Sequence, residues 1–425
     1  MEKFEKSMEL LSLWKRSSIE CKSCFCDEIL EIVQERRLSI EEVAELSVGL
    51  ASSGSIWKWD EDAQPTLDIC STGGAGSLTT LLCPFLVATQ GIFAPQVSVP
   101  GSIAGAIDTL AMIPNYNVEL SFKGMKFALQ ESSVGNTINT EDLAPADLFL
   151  FERRILDNAK DVPDLVIASI LSKKICSGVK NTIVDVRVSS RGNFGLSAKE
   201  AETNCDKLLK VGRRLGINCT CILTNHGISP MPHYGRLESL AVLWTMANGE
   251  VLDPWTHEHV DTCFKIAAYG VSRIKKEDYD GTIKTLEDSV HHGNLRKTLI
   301  RNIESQNGSV QNLQKLLKEL KKQGRVLVQS PSTGYIRNID YDKLHDVFSM
   351  AYKKDTYSRI VDSPLGLVLK VREGESVRKG DIMCEVRVPP EGLSKYERYL
   401  SEMFVIDGSP SRFSNERIIK VMNVD

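Results

Sequence analysis

Two clusters in this 425-residue chain carry residue types that chemistry needs. The first is Ser71-Thr72-Gly73-Gly74-Ala75-Gly76-Ser77, which follows the short apolar run "LDIC". Backbone N–H groups freed by glycine, with a helix N-terminus behind them, make a concave anion site at neutral pH. Ser71, Thr72, Ser77, Thr79 and Thr80 add hydroxyl donors. The loop holds no Lys, Arg or His, and it matches neither the Walker phosphate loop nor the glycine fingerprint of dinucleotide sites. A tight turn that only packs a helix against a strand is the other reading. The second cluster is Arg154, Ser169 and Lys173, within "FERRILDNAKDVPDLVIASILSKK". Ser169 and Lys173 are four apart, so a helix projects both from one face and can offer a hydroxyl and an ammonium to one ligand. The alternative there is a surface helix end, with Arg154 in an ion pair.

The elements that must position these residues follow from the patterning. "TLDIC" reads as a strand and "TTLLCPFLVATQG" as the helix behind the glycine loop, a strand–loop–helix unit of an α/β fold. "NTIVDVRVSS" and "NCTCILTN" read as strands flanking the helix "SAKEAETNCDKLLKVGRRLG", which argues for a largely parallel sheet. Ser197 with Glu200, and Ser39 with Glu42, form capping boxes at helix starts. After Ser39, residues Ile40, Val43, Ala44, Val48 and Ala51 mark one apolar face, and Gly54 supplies a stop.

The order predicts an α/β protein in which a helical domain is built from two segments beside a large mixed α/β domain. The expected bounds are 1–64 and 148–179 for the helical domain, and 65–147 and 180–328 for the α/β domain. From 329 to 425 the short strands and glycine turns of "GLVLKVREGESVRKGD" predict a barrel-sandwich-like α+β portion. The hairpin tip "REGES" has no Lys, which argues for structure and against a carried biotin or lipoate.

Composition excludes several function classes. A net charge of -4 gives no general attraction to nucleic acid or anionic lipid. The basic run "KLLKELKKQGR" has helical periodicity and reads as a solvated face. No apolar stretch reaches the ~18 residues of a membrane span, and "MEKFEKSMELL" is too charged for a secretory signal. Eleven scattered cysteines suit a reducing cytoplasm. Cys21, Cys24 and Cys26 include a CxxC spacing, but no second ligand pair at zinc spacing accompanies it, so no metal is expected.

The quoted motifs, with "PADLFLFERRI" and "ASILSKKICSG", occur in an order and spacing similar to the class II nucleoside phosphorylases, the group of thymidine and pyrimidine-nucleoside phosphorylases. The glycine loop also resembles that of anthranilate phosphoribosyltransferase. The resemblance runs from about Phe4 to Val405. It implies a homodimer joined through the helical domain, with a cleft between the two domains that closes over substrate. It also implies reversible phosphorolysis of a pyrimidine nucleoside, with phosphate as co-substrate and no cofactor. Arg154, Ser169 and Lys173 stand where the family binds the pyrimidine, Arg and Lys stabilising charge on the departing base. Ser71, Gly73, Gly74, Thr80 and Ser98 fall in the phosphate pocket.

The oxyanion half departs from that pattern. Ile69 and Cys70 replace the family's Lys-His. Ala106 falls where a phosphate-binding Thr is expected, Ser77 replaces an Asp, and the loop "SVPGSIAGAID" is about two residues short and lacks an Arg and a His. Ser239 takes the place of an acid that helps hold a structural cation, with Glu238 displaced by one. A hydrogen bond to a charged group contributes roughly 1.5–3 kcal/mol. Losing the Lys and the Thr together then weakens phosphate on the order of a thousandfold, at 1.4 kcal/mol per factor of ten. Main-chain dipoles and hydroxyls are left to meet the anion, with Arg187 and Arg191 as basic residues after the "VDV" strand that could compensate. Two functions fit: a pyrimidine phosphorylase with weak or altered phosphate use, or an inactive homologue that binds a pyrimidine or a partner subunit.

Overall fold

Strands β1 (Leu67–Ser71), β4 (Asn181–Val188) and β5 (Asn218–Asn225) lie side by side and parallel, with Leu67 opposite Asn181 and Asn181 opposite Asn218. The computed structural model describes residues 2–60, 64–74, 76–101, 105–189, 194–351, 365–388, 393–410 and 416–423. Strands β2 (Ala94–Ser98) and β3 (Val134–Ile138) form a second parallel pair, joined to the first by a Thr66–Phe93 bridge. Their carboxyl ends bear Ser71, Ser98 and Val188. In open α/β sheets ligands bind at that edge.

Both faces of the central strands are buried, and alternation decides which residue goes where. Leu67, Ile69, Ile183 and Ile222 enter one core with helices α4 (Thr79–Ala88), α10 (Arg236–Ala247), α11 (Pro254–Lys275), α12 (Tyr279–His291), α13 (Asn294–Ser305) and α14 (Val310–Lys322). Val184, Val186, Cys221 and Leu223 enter the other, with α9 (Ala198–Arg214) and the helical layer. Helix α5 (Ala106–Leu110) borders the first core, and α6 (Phe122–Ser132) covers β3. The basic run lies on α14, whose Leu313, Leu317 and Leu320 turn inward and leave the lysines outside.

The helical layer joins α1 (Glu2–Ser12), α2 (Ile19–Glu35) and α3 (Ile40–Ser52) to α7 (Pro145–Leu156) and α8 (Pro163–Cys176) in one core. Helix α7 opens at Pro145, three residues before the expected bound of 148. The capping box of Ser39 and Glu42 is present, whereas Glu200 reaches back to the N–H of Leu196 instead of Ser197. Val48 leaves the expected apolar face: the buried stripe runs through Val43, Ala44, Leu46, Ser47, Leu50 and Ala51, and Val48 is 43% exposed. Cys21 and Cys24 are exposed on α2 and Cys26 is buried.

Asp164 ties this layer to α9. Its buried carboxylate accepts from both Arg37 Nε and Nη2, from Lys207 Nζ at 2.7 Å and from the Leu38 N–H. Burial pushes this carboxyl up, but the bonds from Arg37 and Lys207 outweigh it and hold it below the usual range. A depressed carboxyl contributes stability above its unfolded pKa, roughly 3.9, and loses it as pH falls through the folded value. Thermal melts should therefore show acid destabilisation below about pH 4 that Asp164→Asn reduces.

The C-terminal strands form two small antiparallel sheets. One is ordered β6 (His233–Tyr234), β9 (Gly366–Leu369), β11 (Ile382–Arg387), β7 (Val326–Gln329); the other is ordered β10 (Ser376–Val377), β8 (Gly334–Ile339), β12 (Phe404–Asp407). Helices α15 (Tyr341–Ala351) and α16 (Leu393–Glu402) accompany them. The expected bounds of 329–425 do not describe this unit. Strand β7 begins at Val326, β6 is borrowed from the α/β layer, and β13 (Ile418–Asn423) returns to pair antiparallel with β5. No helix among the described residues is long and apolar enough to cross a membrane.

Candidate functional site

Helix α8 presents the strongest of the expected groups. Lys173 Nζ donates to Ser169 Oγ and to Asp147 Oδ2, both at 2.7 Å. The i, i+4 spacing brings the first contact, and α7, which carries Asp147 on its first turn, brings the second. All three side chains are at least nine-tenths buried. The next residue, Lys174, turns to β1 and pairs with Asp68; burial pushes it down to about 8.

Cys70 links this cluster to the glycine loop. On β1 it faces away from Ile69 and stands one residue before Ser71. Its thiol lies 3.7 Å from the Ile183 carbonyl and 3.9 Å from Thr182 Oγ1. Burial pushes the thiol up to about 12, opposed by the hydrogen bond to Thr182 and by the charge of Lys173. The Lys174–Asp68 pair and the packing of Cys70 against the helical core bring α8 to β1, the strand that ends at the glycine loop. Ile69 is wholly buried in the opposite core, so nothing at that position faces an anion.

Arg154 is placed differently from its partners. It is buried on α7, and its Nε, Nη1 and Nη2 donate to the carbonyls of Ala159, Leu165 and Lys160 in the α7–α8 turn and the start of α8. Three of its five N–H groups are so engaged. Burial pushes it down to about 10, opposed by Asp147 and Asp161.

Of the two basic residues that could compensate in the oxyanion half, Arg187 reaches the glycine loop, but its donors turn to the loop's own carbonyls. Arg187, on β4 opposite the loop, drives its guanidinium beneath the glycine turn. Nη1 donates to the carbonyls of Gly73 at 3.1 Å and Gly74 at 3.3 Å. Nε donates to Asp185 Oδ2 at 3.1 Å, and Nη2 to Thr79 Oγ1 at 3.2 Å. Gly73 and Gly74 both adopt positive φ, near 98° and 99°, which their missing side chains allow. Arg191 lies outside the described residues, as do Ala75 and 102–104 of the shortened loop.

Behind the loop, Asp185 also accepts from Thr79 Oγ1 at 2.6 Å and Thr224 Oγ1 at 2.5 Å. Burial pushes its carboxyl up, but Arg187 and His226 with these hydroxyls bring it below the usual range. Burial and the charge of Arg187 push His226 down to about 3. His259 Nε2 accepts from the N–H of Leu78 at 2.9 Å, so it carries no proton there, and Ser77 Oγ is 3.2 Å away. The N-terminus of α4 is thereby partly filled from within. Ser71 Oγ accepts weakly from Gly73 N–H at 3.4 Å. Thr80 on the first turn of α4 and Ser98 at the end of β2 are half-buried. Ala106 opens α5, and its neighbour Asp108 pairs with buried Arg236 at 2.9 Å.

The residues at the expected cation site do not fit a cation. Arg387 donates to both oxygens of Glu238, at 2.9 and 3.0 Å, so a guanidinium already neutralises that carboxylate. Ser239 offers a buried hydroxyl only.

No family model matches the chain. It is 32% identical over 187 residues to a thymidine phosphorylase of Sinorhizobium fredii, covering 44% of this chain and 42% of that protein. A thymidine phosphorylase of Burkholderia cenocepacia is 25% identical over 366 residues, covering 84% and 83%. The match to the first of these thus spans under half its length, while the second covers most of both chains. Among solved structures, anthranilate phosphoribosyltransferase from Thermus thermophilus superposes with a TM-score of 0.55 at 15% identity, over 72% of this chain and 96% of that one. The Saccharomyces cerevisiae enzyme gives 0.53 at 12%, over 72% and 92%. These structures share the fold. Over these spans the chain is similar to proteins named thymidine phosphorylase, the group that its motifs resemble.

Proposed function

We propose that this protein handles pyrimidine nucleosides as a phosphorylase-type pentosyltransferase whose oxyanion half binds phosphate weakly. The observation that carries the reading is the buried Lys173–Ser169–Asp147 cluster on α7 and α8, with α8 pinned by the Lys174–Asp68 pair to β1, the strand that leads into the glycine loop. In the reaction a phosphate oxygen attacks C1′ while the C1′–N bond breaks, and the bonding electrons pass to the pyrimidine ring. The Lys173 ammonium stabilises that charge at a ring carbonyl, Ser169 holds the base edge, and Arg154 fastens α7 to the start of α8 on which both stand. The loop's N–H groups, with Ser71, Thr80 and Ser98, receive the anion. The step needs no cofactor.

A second reading, a pyrimidine-binding protein without turnover, draws on Arg187 being already paired with Asp185. A phosphorolysis assay on thymidine and uridine, run beside calorimetry with uracil, thymine and phosphate, separates the two. Phosphate-dependent release of base supports the first; base binding without release overturns it. We also propose a homodimer through the helical layer. Leu13, Ile19, Val48, Ile155 and Leu156 are exposed there, Leu156 at 73%, and apolar exposure of this kind marks association surfaces. Sedimentation at micromolar concentration checks it, and a monomer sinks it.

Cys70 stays protonated up to about 12, so it titrates nowhere near neutrality. Cys70→Ser is expected to leave the pH–rate profile unchanged in shape. Cys70→His introduces an acid limb below the ordinary histidine range of roughly pH 6.5, because burial and the charge of Lys173 both disfavour the imidazolium there. A profile that shifts in Cys70→Ser would show that the thiol ionises during turnover.

A further inference from the structure

We infer that Arg187 is a positioning residue that aims the glycine loop at an oxyanion by gripping the loop's carbonyls from the opposite side. The inference rests on the phosphorylase reading and concerns how the phosphate half of that site works without the Lys-His it lacks.

A trans peptide is planar, with its C=O and the following N–H pointing in opposite directions. When Arg187 Nη1 takes the Gly73 carbonyl, the N–H of Gly74 is turned to the other face of the loop. The Gly74 carbonyl is drawn to the same nitrogen. Two successive carbonyls on one side require unusual backbone angles, which both glycines supply. The same guanidinium is itself fixed by Asp185 and Thr79, and the Arg187 N–H donates to Thr72 Oγ1 at 3.1 Å. Thr72 N–H in turn donates to the Asp185 carbonyl at 3.1 Å. The loop is therefore held to β4 at its entry, at its turn and at its exit into α4.

Charge alone does not explain this arrangement. Asp185 balances the guanidinium, so the pair brings little net attraction for an anion. What the fork contributes is geometry: five donors in one plane, engaging two carbonyls, a carboxylate and a hydroxyl. A lysine delivers the same charge as a point and cannot hold all four. The ligand class follows from the main-chain donor: a tetrahedral oxyanion such as inorganic phosphate, received at the Gly74 N–H.

The test uses the full chain labelled with 15N-glycine and titrated with inorganic phosphate, in wild type, Arg187→Lys and the charge-balanced Asp185→Asn/Arg187→Met. Asp185→Asn/Arg187→Met avoids stranding a buried carboxylate, and uracil calorimetry reports whether each variant keeps the base half. In wild type, phosphate is expected to shift the Gly74 amide. In both variants that shift is lost or needs roughly ten- to a hundredfold more phosphate, while uracil affinity stays within about twofold. Where turnover is measurable, KM for phosphate rises by the same factor and kcat changes less. A merely structural role predicts that uracil and phosphate binding fall together, and that result overturns the inference. So does a wild-type Gly74 amide that phosphate leaves unmoved, or an Arg187→Lys response equal to wild type. Failure of the phosphorylase reading looks different: the Gly74 amide responds to phosphate, yet thymidine and uridine are never cleaved.

Discussion

Lys173→Met is expected to abolish base binding and to reduce kcat/KM by roughly a hundred- to a thousandfold, the loss seen when one donor to a developing charge is removed. The ammonium sits 2.7 Å from Asp147 and 2.7 Å from Ser169, and all three side chains are largely buried. Charge building on a departing pyrimidine meets it there with little screening. The same substitution also strands a buried carboxylate. Breaking a desolvated pair from one side costs about 3–5 kcal/mol, so the variant should also melt earlier.

These two consequences can be separated. In Asp147→Asn/Lys173→Met the stranded charge is gone, and most of the lost stability should return, because replacing both partners of a buried pair is far milder than removing one. Base affinity should not return, since it depends on the ammonium. Calorimetry with uracil beside a thermal melt reads both. If the double variant binds uracil as wild type does, Lys173 is only a structural partner of Asp147, and the site lies elsewhere.

The parts of this site visible in the sequence are those whose partners lie close along the chain. Ser169 and Lys173 declare themselves by helical spacing, and the glycine loop by composition. Arg187 sits 114 residues from Gly73, and only the parallel pairing of β1 with β4, Ser71 opposite Asp185, brings it underneath. A signal existed: Asp185 and Arg187 are two apart on a strand, hence on one face, and a buried charge pair on a central strand needs an explanation. Asp147 was hidden by the same logic, 26 residues before Lys173 on a different helix. Val48 shows the converse error. Periodicity can mark an apolar position but cannot tell whether the fold buries it or leaves it exposed, as it leaves Val48. The C-terminal bound failed because β13 crosses back to β5, a pairing that local composition does not record.

Arg387→Met is expected to be the most destabilising change outside the base site. Arg387 and Glu238 are 149 residues apart, both almost fully buried, and share two parallel N–H···O bonds at 2.9 and 3.0 Å. They fasten β11 of the C-terminal unit to α10, whose Arg236 in turn holds Asp108 on α5, and Asp108 accepts from the Gly101 N–H in the loop after β2. Gly366 is Arg387's cross-strand neighbour, and it leaves room for the carboxylate: a Cβ there would overlap Glu238. Removing the guanidinium leaves that carboxylate charged in a dry site, at about 3–5 kcal/mol. Gly366→Ala should act the same way from the other side, by forcing Glu238 off its partner. The compensated Glu238→Gln/Arg387→Met should recover most of the loss. Thermal melts of the four chains decide it. A single variant as stable as wild type would mean that water reaches the pair, and that the C-terminal unit is held to the α/β layer by apolar contact alone.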